Sequence, residues 1–185
     1  MTLPMTTDEM LTLLERLLVT ESRPDALDAL EQLCRDNRAD GRAVTYLIPI
    51  LHAPEPESRR KASWLMGKLA QNKAVSFWPL EELSNLLHDD DPEVRENAAW
   101  AIGELTGQRI GTLGSIEHLN LLLNDGVPSV RGMAAWALGR MAERLELGFL
   151  TSVGPLTELS NDRFESVRRS ALYALERLAL LGIKE

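Results

Sequence analysis

Cysteine is almost absent from this 185-residue chain. Cys34 stands alone, which excludes an internal disulfide, and no CxxC or His/Cys cluster offers a metal site. Long apolar runs are missing as well: none approaches the roughly 18 residues of a membrane span. The opening MTLPMTTDEM has neither the basic start nor the apolar core of a signal peptide, so a cytoplasmic location is expected. Basic charge is in the minority, with 20 Lys and Arg against 28 Asp and Glu and a net charge of −8. A nonspecific nucleic-acid coat needs clustered cations and is not expected of such a chain. There is no phosphate-cradling glycine loop, and Cys34 lacks the context of a nucleophile. The expectation is a noncatalytic protein with no catalytic residues, no cofactor and no metal. Aromatics make up only 5% of the residues, so the places where they recur carry information.

What the chain does have is one stretch written several times. Asp89 to Leu105, DDDPEVRENAAWAIGEL, returns in altered form at Asn124 to Met141, at Asn161 to Leu178 and at Ala53 to Leu69. Its columns hold their spacing. Arg23, Arg59, Arg95 and Arg131 lie 36 residues apart and Arg168 follows after 37; Ala26, Ala62, Ala98, Ala134 and Ala171 keep the same step. Leu11, Leu47, Leu83, Leu119 and Leu156 form a further column upstream. A fixed period of this length marks a solenoid, in which each unit buries its apolar face only against its neighbours. Five units, about 6–38, 42–72, 77–106, 115–144 and 149–183, account for the chain, which reads as one repeat domain over 1–185 with no long linker.

Each unit reads as two helices. Thr6 and Glu9 stand at capping-box spacing before a helix to Val19 that carries Met10, Leu11, Leu14, Leu17 and Leu18. Pro24 opens a second helix to about Asn37, and this degenerate first unit serves as a polar cap. Pro49 inside the next helix removes a backbone donor and predicts a kink. Asp91 and Pro92 pair a cap with a first-turn proline. Gly107, Gly111, Gly114, Gly148 and Gly154 are expected to punctuate the joints.

The pattern D-x-x-P-x-V-R-x-x-A-A-x-A-L-G, nearly whole at Asp89 to Gly103 and at Asp125 to Gly139, resembles the short HEAT repeat in its phycobilisome-lyase-type form. The resemblance implies an all-α, right-handed α-solenoid of about five HEAT-like helical hairpins. Such a family holds scaffolds, adaptors, assembly factors and bilin lyases, and a related branch contains deoxyhypusine hydroxylase. The hydroxylase places His-Glu pairs for iron directly after Val-Arg. Here those positions are Glu96-Asn97, Gly132-Met133 and Arg169-Ser170, so that activity is not implied.

At about 100° per residue, Val94, Ala98, Ala101, Ile102 and Leu105 face the core of the second helix, while Glu96, Asn97, Trp100 and Glu104 lie roughly opposite. In HEAT-like solenoids that opposite side lines the concave surface. Its aromatic column is Trp64, Trp100, Trp136 and Tyr173. Two readings stand: each ring lies over the neighbouring unit, covering Gly67, Gly103 and Gly139, or the ring edges anchor a partner. The flanking columns supply Arg60, Lys61 and Lys68, then Asn97, then Met133 and Arg140, then Arg169 and Arg177, which makes the groove more basic than the whole chain. A groove of this kind suits another protein, through an acidic or extended segment.

The arginine column reads as structural. Arg95, Arg131 and Arg168 each follow Asp89, Asp125 and Asp162 by six residues, and with Arg59 they can pair with turn aspartates or cap loop carbonyls. His52 and His88 read as partners of helix C-termini. The end carrying Leu178, Leu180, Leu181 and Ile183 offers an apolar surface for a homodimer or a larger assembly. The functional expectation is a scaffold or adaptor gripping a partner protein in its concave face. The alternatives are a bilin-lyase-like, chromophore-handling factor and, third, nucleic-acid binding along the basic groove.

Overall fold

The computed structural model describes residues 6–73 and 78–184; the expected start of the third unit at 77 and the two ends of the range 1–185 lie outside them. Among the described residues ten α-helices follow one another: α1 (Thr7–Arg16), α2 (Arg23–Arg35), α3 (Ala43–Leu47), α4 (Pro56–Gln71), α5 (Leu80–Leu86), α6 (Pro92–Leu105), α7 (Leu113–Leu122), α8 (Pro128–Leu145), α9 (Val153–Leu159) and α10 (Glu165–Leu180). No strand occurs among the described residues. Consecutive helices pair as hairpins, and the second helices α4, α6, α8 and α10 also pack on one another in sequence order. The fold is an all-helical solenoid.

Local chemistry sets the helix ends. Thr6 Oγ1 accepts from the Glu9 backbone while Glu9 accepts from the Thr6 N–H at 2.7 Å, a reciprocal cap on α1. Pro56, Pro92 and Pro128 open α4, α6 and α8, each after an extended residue with ψ of 118, 122 and 120°. Proline fits there because the first N–H of a helix has no partner inside it. The carboxylate of Asp91 adds bonds from the Glu93 and Val94 N–H groups. Pro49 does more than kink its helix: α3 stops at Leu47 and the chain continues as a 3-10 turn over Ile48–His52. Proline cannot donate to the carbonyl four residues back, so the chain tightens to the shorter bond pattern.

The sequence assigns the joints to glycine, and the structure corrects this. Each second helix ends in a left-handed residue, and these form a column of their own: Asn37 (φ 54°), Lys73 (53°), Arg109 (61°), Glu146 (58°) and Gly182 (78°). The left-handed residue turns the chain so that the next N–H reaches back, as Arg38 does to Leu33 at 2.8 Å and Ile183 to Leu178 at 3.0 Å. Gly111 and Gly148 serve packing instead. A Cβ on either would stand 2.6 Å from a methyl of Leu145 or 2.3 Å from one of Leu178.

The core runs unbroken from the first hairpin to the last, through Leu14, Leu47, Leu83, Leu119 and Leu156, all 0% exposed. Leu11 and Leu18 depart from the expected stripe and are exposed; α1 ends at Arg16 rather than Val19, which leaves Leu18 in the turn after it, and Leu13 is buried in their stead. Cys34 is buried too, and burial pushes its thiol up to about 12.

The arginine column stitches the hairpins together. Every member donates to the carbonyl six residues before it: Arg23 to Leu17, Arg59 to Ala53, Arg95 to Asp89, Arg131 to Asp125 and Arg168 to Asp162, at 2.7 to 3.0 Å. Three also fork onto a carboxylate of the following hairpin. Arg59 holds Asp89, Arg95 holds Asp125 and Arg131 holds Asp162, with closest contacts of 2.7, 2.8 and 2.7 Å. Each of these aspartates also accepts from the backbone N–H two residues on, at Asp91, Val127 and Phe164. Arg95 and Arg131 therefore each cap a carbonyl and pair with a carboxylate, but through two different aspartates. His88 likewise reaches the next hairpin, with its Nε2 2.8 Å from Nδ1 of His118.

Candidate partner-binding groove

The helical period puts one face of α4, α6, α8 and α10 outside the core, and the aromatic column lies along it. Trp64, Trp100, Trp136 and Tyr173 are all half-buried. Three rings rest on glycine of the preceding second helix. A Cβ added to Gly67 would lie 2.3 Å from the Trp100 ring, one on Gly103 2.2 Å from Trp136, and one on Gly139 2.5 Å from Tyr173. Only a residue without a side chain lets the ring sit directly on the helix. These three rings are thus packed on one side and half-exposed on the other, which is the packing reading of the row.

Trp64 differs. One period before Gly67 the chain has Glu31, which leaves no trough for the ring. The guanidinium of Arg35 lies 5.0 Å from the Trp64 centroid and the Lys68 ammonium 5.9 Å, while Trp100 approaches at 6.4 Å and a 38° tilt. The other rings also hold the residue one turn on. Trp100 Nε1 donates to Glu104 at 3.2 Å, and the guanidiniums of Arg140 and Arg177 stand 5.5 and 5.4 Å from the Trp136 and Tyr173 centroids. Burial, and then the Glu143 carboxylate, raise the Tyr173 phenol above its ordinary value.

The flanking cations are largely engaged. Arg60 pairs with Asp91 at 2.5 Å and with Glu93 at 3.6 Å. Lys61 meets Asp28 and Glu31 of α2, and Lys68 donates to Gln71 at 2.6 Å. Asn97 donates its side-chain amide to the Arg60 carbonyl at 3.1 Å, bracing α6 against α4. Glu143 draws both Arg140 and Arg177, at 3.9 and 3.8 Å. Arg169 stands apart at the end of the row, 3.9 Å from Glu165 with both side chains nearly three-quarters exposed.

Two clefts open on this face. One of about 350 Å³ is walled by Glu31 and Arg35 of α2, Glu57, Arg60, Lys61 and Trp64 of α4, and Glu93 of α6. The other, of about 380 Å³, lies between α6, α8 and α10, where Trp100, Pro128, Met133 and Trp136 give apolar walls. Gly132 opens its floor, and Glu96, Ser129, Ser166 and Ser170 line its rim. Sequence reasoning reached Trp64, Arg60, Lys61, Trp100, Met133 and Trp136, but missed Glu31, Arg35, Pro128, Ser129 and Ser166. Glu31 and Arg35 sit one period before Gly67 and Gln71, which is the signal that could have found them. The ladder residues Arg59, Arg95, Arg131 and Arg168 line the turns and line neither cleft. Among the described residues no group of three or more His, Cys, Asp or Glu side chains could hold a metal, and no helix is long and apolar enough to cross a membrane.

The sequence matches two family descriptions, "HEAT repeats" over residues 44–120 and "HEAT repeat" over residues 116–145. No curated protein matches it significantly. Among solved structures it is similar to the designed armadillo repeat protein YIII(Dq)4CqI, with a TM-score of 0.76 and 23% identity over 93% of this chain and 83% of that one. It is also similar to a set of computationally designed armadillo repeat proteins for modular peptide recognition, with a TM-score of 0.75 and 22% identity over 92% and 82%. A third, the designed armadillo repeat protein YIII(Dq.V1)4CPAF in complex with the peptide (KR)4, gives 0.73 and 22% over 95% and 88%.

Proposed function

Because the chain belongs to the HEAT-repeat family, we propose that it is a noncatalytic scaffold, working as one repeat domain in the cytoplasm, that holds an extended segment of a partner protein along α4, α6, α8 and α10. The observation that carries this reading is the pair of clefts on the same face as the ring row, each walled by three consecutive second helices. Packed helices lie about 8 to 10 Å apart, so clefts centred on α4 and α8 are roughly 20 Å apart, a span of about six residues of extended chain. The segment places an apolar side chain against Met133 and Trp136 and a polar or charged one beside Trp64, where carboxylates and cations are both at hand. Similar solenoids support a peptide ligand: one is described with (KR)4 bound and others as made for modular peptide recognition.

The cations on this face favour a protein segment over the alternatives. Arg60, Lys61, Arg140 and Arg177 already lie against carboxylates, so few remain for a phosphate backbone, whose binding scales with unpaired cations. A bilin would need open ring faces and free guanidiniums for its propionates, whereas Arg140 and Arg177 lie on the rings themselves. For the same reason we read the partner segment as extended rather than strongly acidic.

Selection from a displayed library of random peptides tests the reading. Peptides enriched on the wild type should lose at least tenfold in affinity with Met133→Glu and with Trp64→Ala. Peptides that bind all three proteins equally, or a library from which nothing enriches, would reject the groove as the partner site.

A further inference from the structure

The side of each second helix that meets the next one is made of small residues. On α8 these include Ala135 and Gly139, and on α6 Ala99 and Gly103, all buried beneath the following helix. On α10 the same two positions are Leu172 and Glu176, both exposed, with Arg169 one turn before. Residues 169, 172 and 176 are spaced three and four apart and so share one stripe. The stripe reads positive, apolar, negative.

We propose that this stripe is the contact surface for a second copy of the chain, packed through α10 about a two-fold axis beside Leu172. In an antiparallel pair related by such an axis, Leu172 meets Leu172 of the second copy. The axis then sets Arg169 against the second copy's Glu176, and Glu176 against its Arg169. A two-fold contact requires this kind of self-complementarity, because the same patch must serve both partners. Both charges are available for it. Arg169 is 74% exposed and its nearest carboxylate, Glu165, is 3.9 Å away; Glu176 is 65% exposed and 3.7 Å from Arg177. Leu172 is 55% exposed where the interior columns are fully buried, and Leu180, two turns further along α10, is 72% exposed.

Leu178, which the sequence places on this end surface, is 1% exposed and packs inward against Gly148, so the docking strip lies along Leu172 and Leu180. Head-to-tail stacking is disfavoured. Continuing the solenoid would set Asp28 of α2, which holds the ring position in the first unit, against Glu176, which stands where 67, 103 and 139 are glycine, carboxylate against carboxylate.

Arg169 ends the groove's row of cations, but no residue of the stripe lines either cleft, so self-association tests the stripe independently of the partner reading. The 185-residue chain is followed by sedimentation equilibrium up to millimolar concentration, with circular dichroism confirming that each variant is folded. The wild type is expected to approach twice its 20.6 kDa mass. Arg169→Glu alone, or Glu176→Arg alone, sets like charges opposite one another and should weaken the dimer at least tenfold. Mixing the two single variants, or combining both changes in one chain, restores opposite charges at both contacts and should restore the dimer. A wild type that stays monomeric, a dimer indifferent to the single reversals, or a mixture that fails to associate would each overturn the proposal.

Discussion

Arg95 grips the carboxylate of Asp125 at 2.8 and 3.1 Å and, through its other terminal nitrogen, donates to the carbonyl of Asp89 at 2.7 Å. One guanidinium thus ties its own turn to the turn of the following hairpin. Arg95→Ala leaves a carboxylate that is only 7% exposed without its cation. It is expected to cost about 2 to 4 kcal/mol. A double-mutant cycle in urea should give a coupling of about 1 kcal/mol or more for Arg95 with Asp125. It should give almost none for Arg95 with the Asp89 side chain, since that contact is to the backbone. Equal coupling to both aspartates would mean that the pairing register is not the one described. Arg95→Lys should not rescue, because an ammonium cannot fork.

Gly103→Ala forces a Cβ to within 2.2 Å of the Trp136 ring. Overpacking of this kind costs about 1 to 3 kcal/mol. In a Trp136→Ala background the same substitution should instead stabilise by up to about 1 kcal/mol, because alanine is the better helix former. The reversal of sign, read from urea midpoints, separates a ring trough from a glycine kept for flexibility.

Glu146 and Arg109 hold φ of 58° and 61° at exposed helix ends. A left-handed conformation costs a residue with a Cβ about 1 kcal/mol, a cost glycine avoids. Glu146→Gly and Arg109→Gly are each expected to raise Tm by roughly 2 °C in calorimetry. A drop would show that the side chain, rather than the backbone, matters there.

The carboxyls of Asp91 and Asp162 lie below their ordinary value. For Asp91 the largest cause is the hydrogen bond from Arg60; for Asp162 it is the Phe164 N–H, with Arg131 adding to it. A depressed folded value stabilises fully above the unfolded value of about 3.9 and is lost as pH falls through the folded one. These two groups therefore weaken the fold below about pH 4 and contribute no slope near neutrality. Asp91→Asn should lower stability at neutral pH yet flatten the acid limb of a Tm-against-pH curve. An acid limb as steep as the wild type's would assign the loss to other carboxylates.

Much of the architecture was legible because its signals repeat. Columns such as Leu47, Leu83 and Leu119 can hold register only if one helical unit stacks on itself, and the turn of about 100° per residue then assigns the faces. The exchange of partners along the ladder was not legible. Arg95 lies six residues after one aspartate and 30 before another, and nothing in the spacing says which supplies a carbonyl and which a carboxylate. The left-handed column was hidden for another reason: Asn37, Lys73, Arg109 and Glu146 share no side-chain chemistry, so only the period itself connects them. The groove was legible in its rings and not in its charge state. The pairs of Arg60 with Asp91 and of Lys61 with Asp28 depend on how closely neighbouring helices approach, which a sequence column does not encode.

Arg23 caps its carbonyl like the others, but Ala53 occupies the place where later hairpins offer an aspartate. The boundary between the first and second hairpins therefore lacks an arginine fork and is crossed instead by Lys61 to Asp28 and Glu31 and by the Asn72 amide to the Cys34 carbonyl. Heat or pulling can peel α1 and α2 away before any arginine fork is broken, while separating the later hairpins means parting a fork at every step. Glu31 and Arg35, which wall the Trp64 cleft, ride on that detachable piece. A segment lying across Trp64 would clamp the loose flap to the body, and loss of the segment would let it lift, so occupancy of the groove would be read out as the stiffness of one end of the molecule.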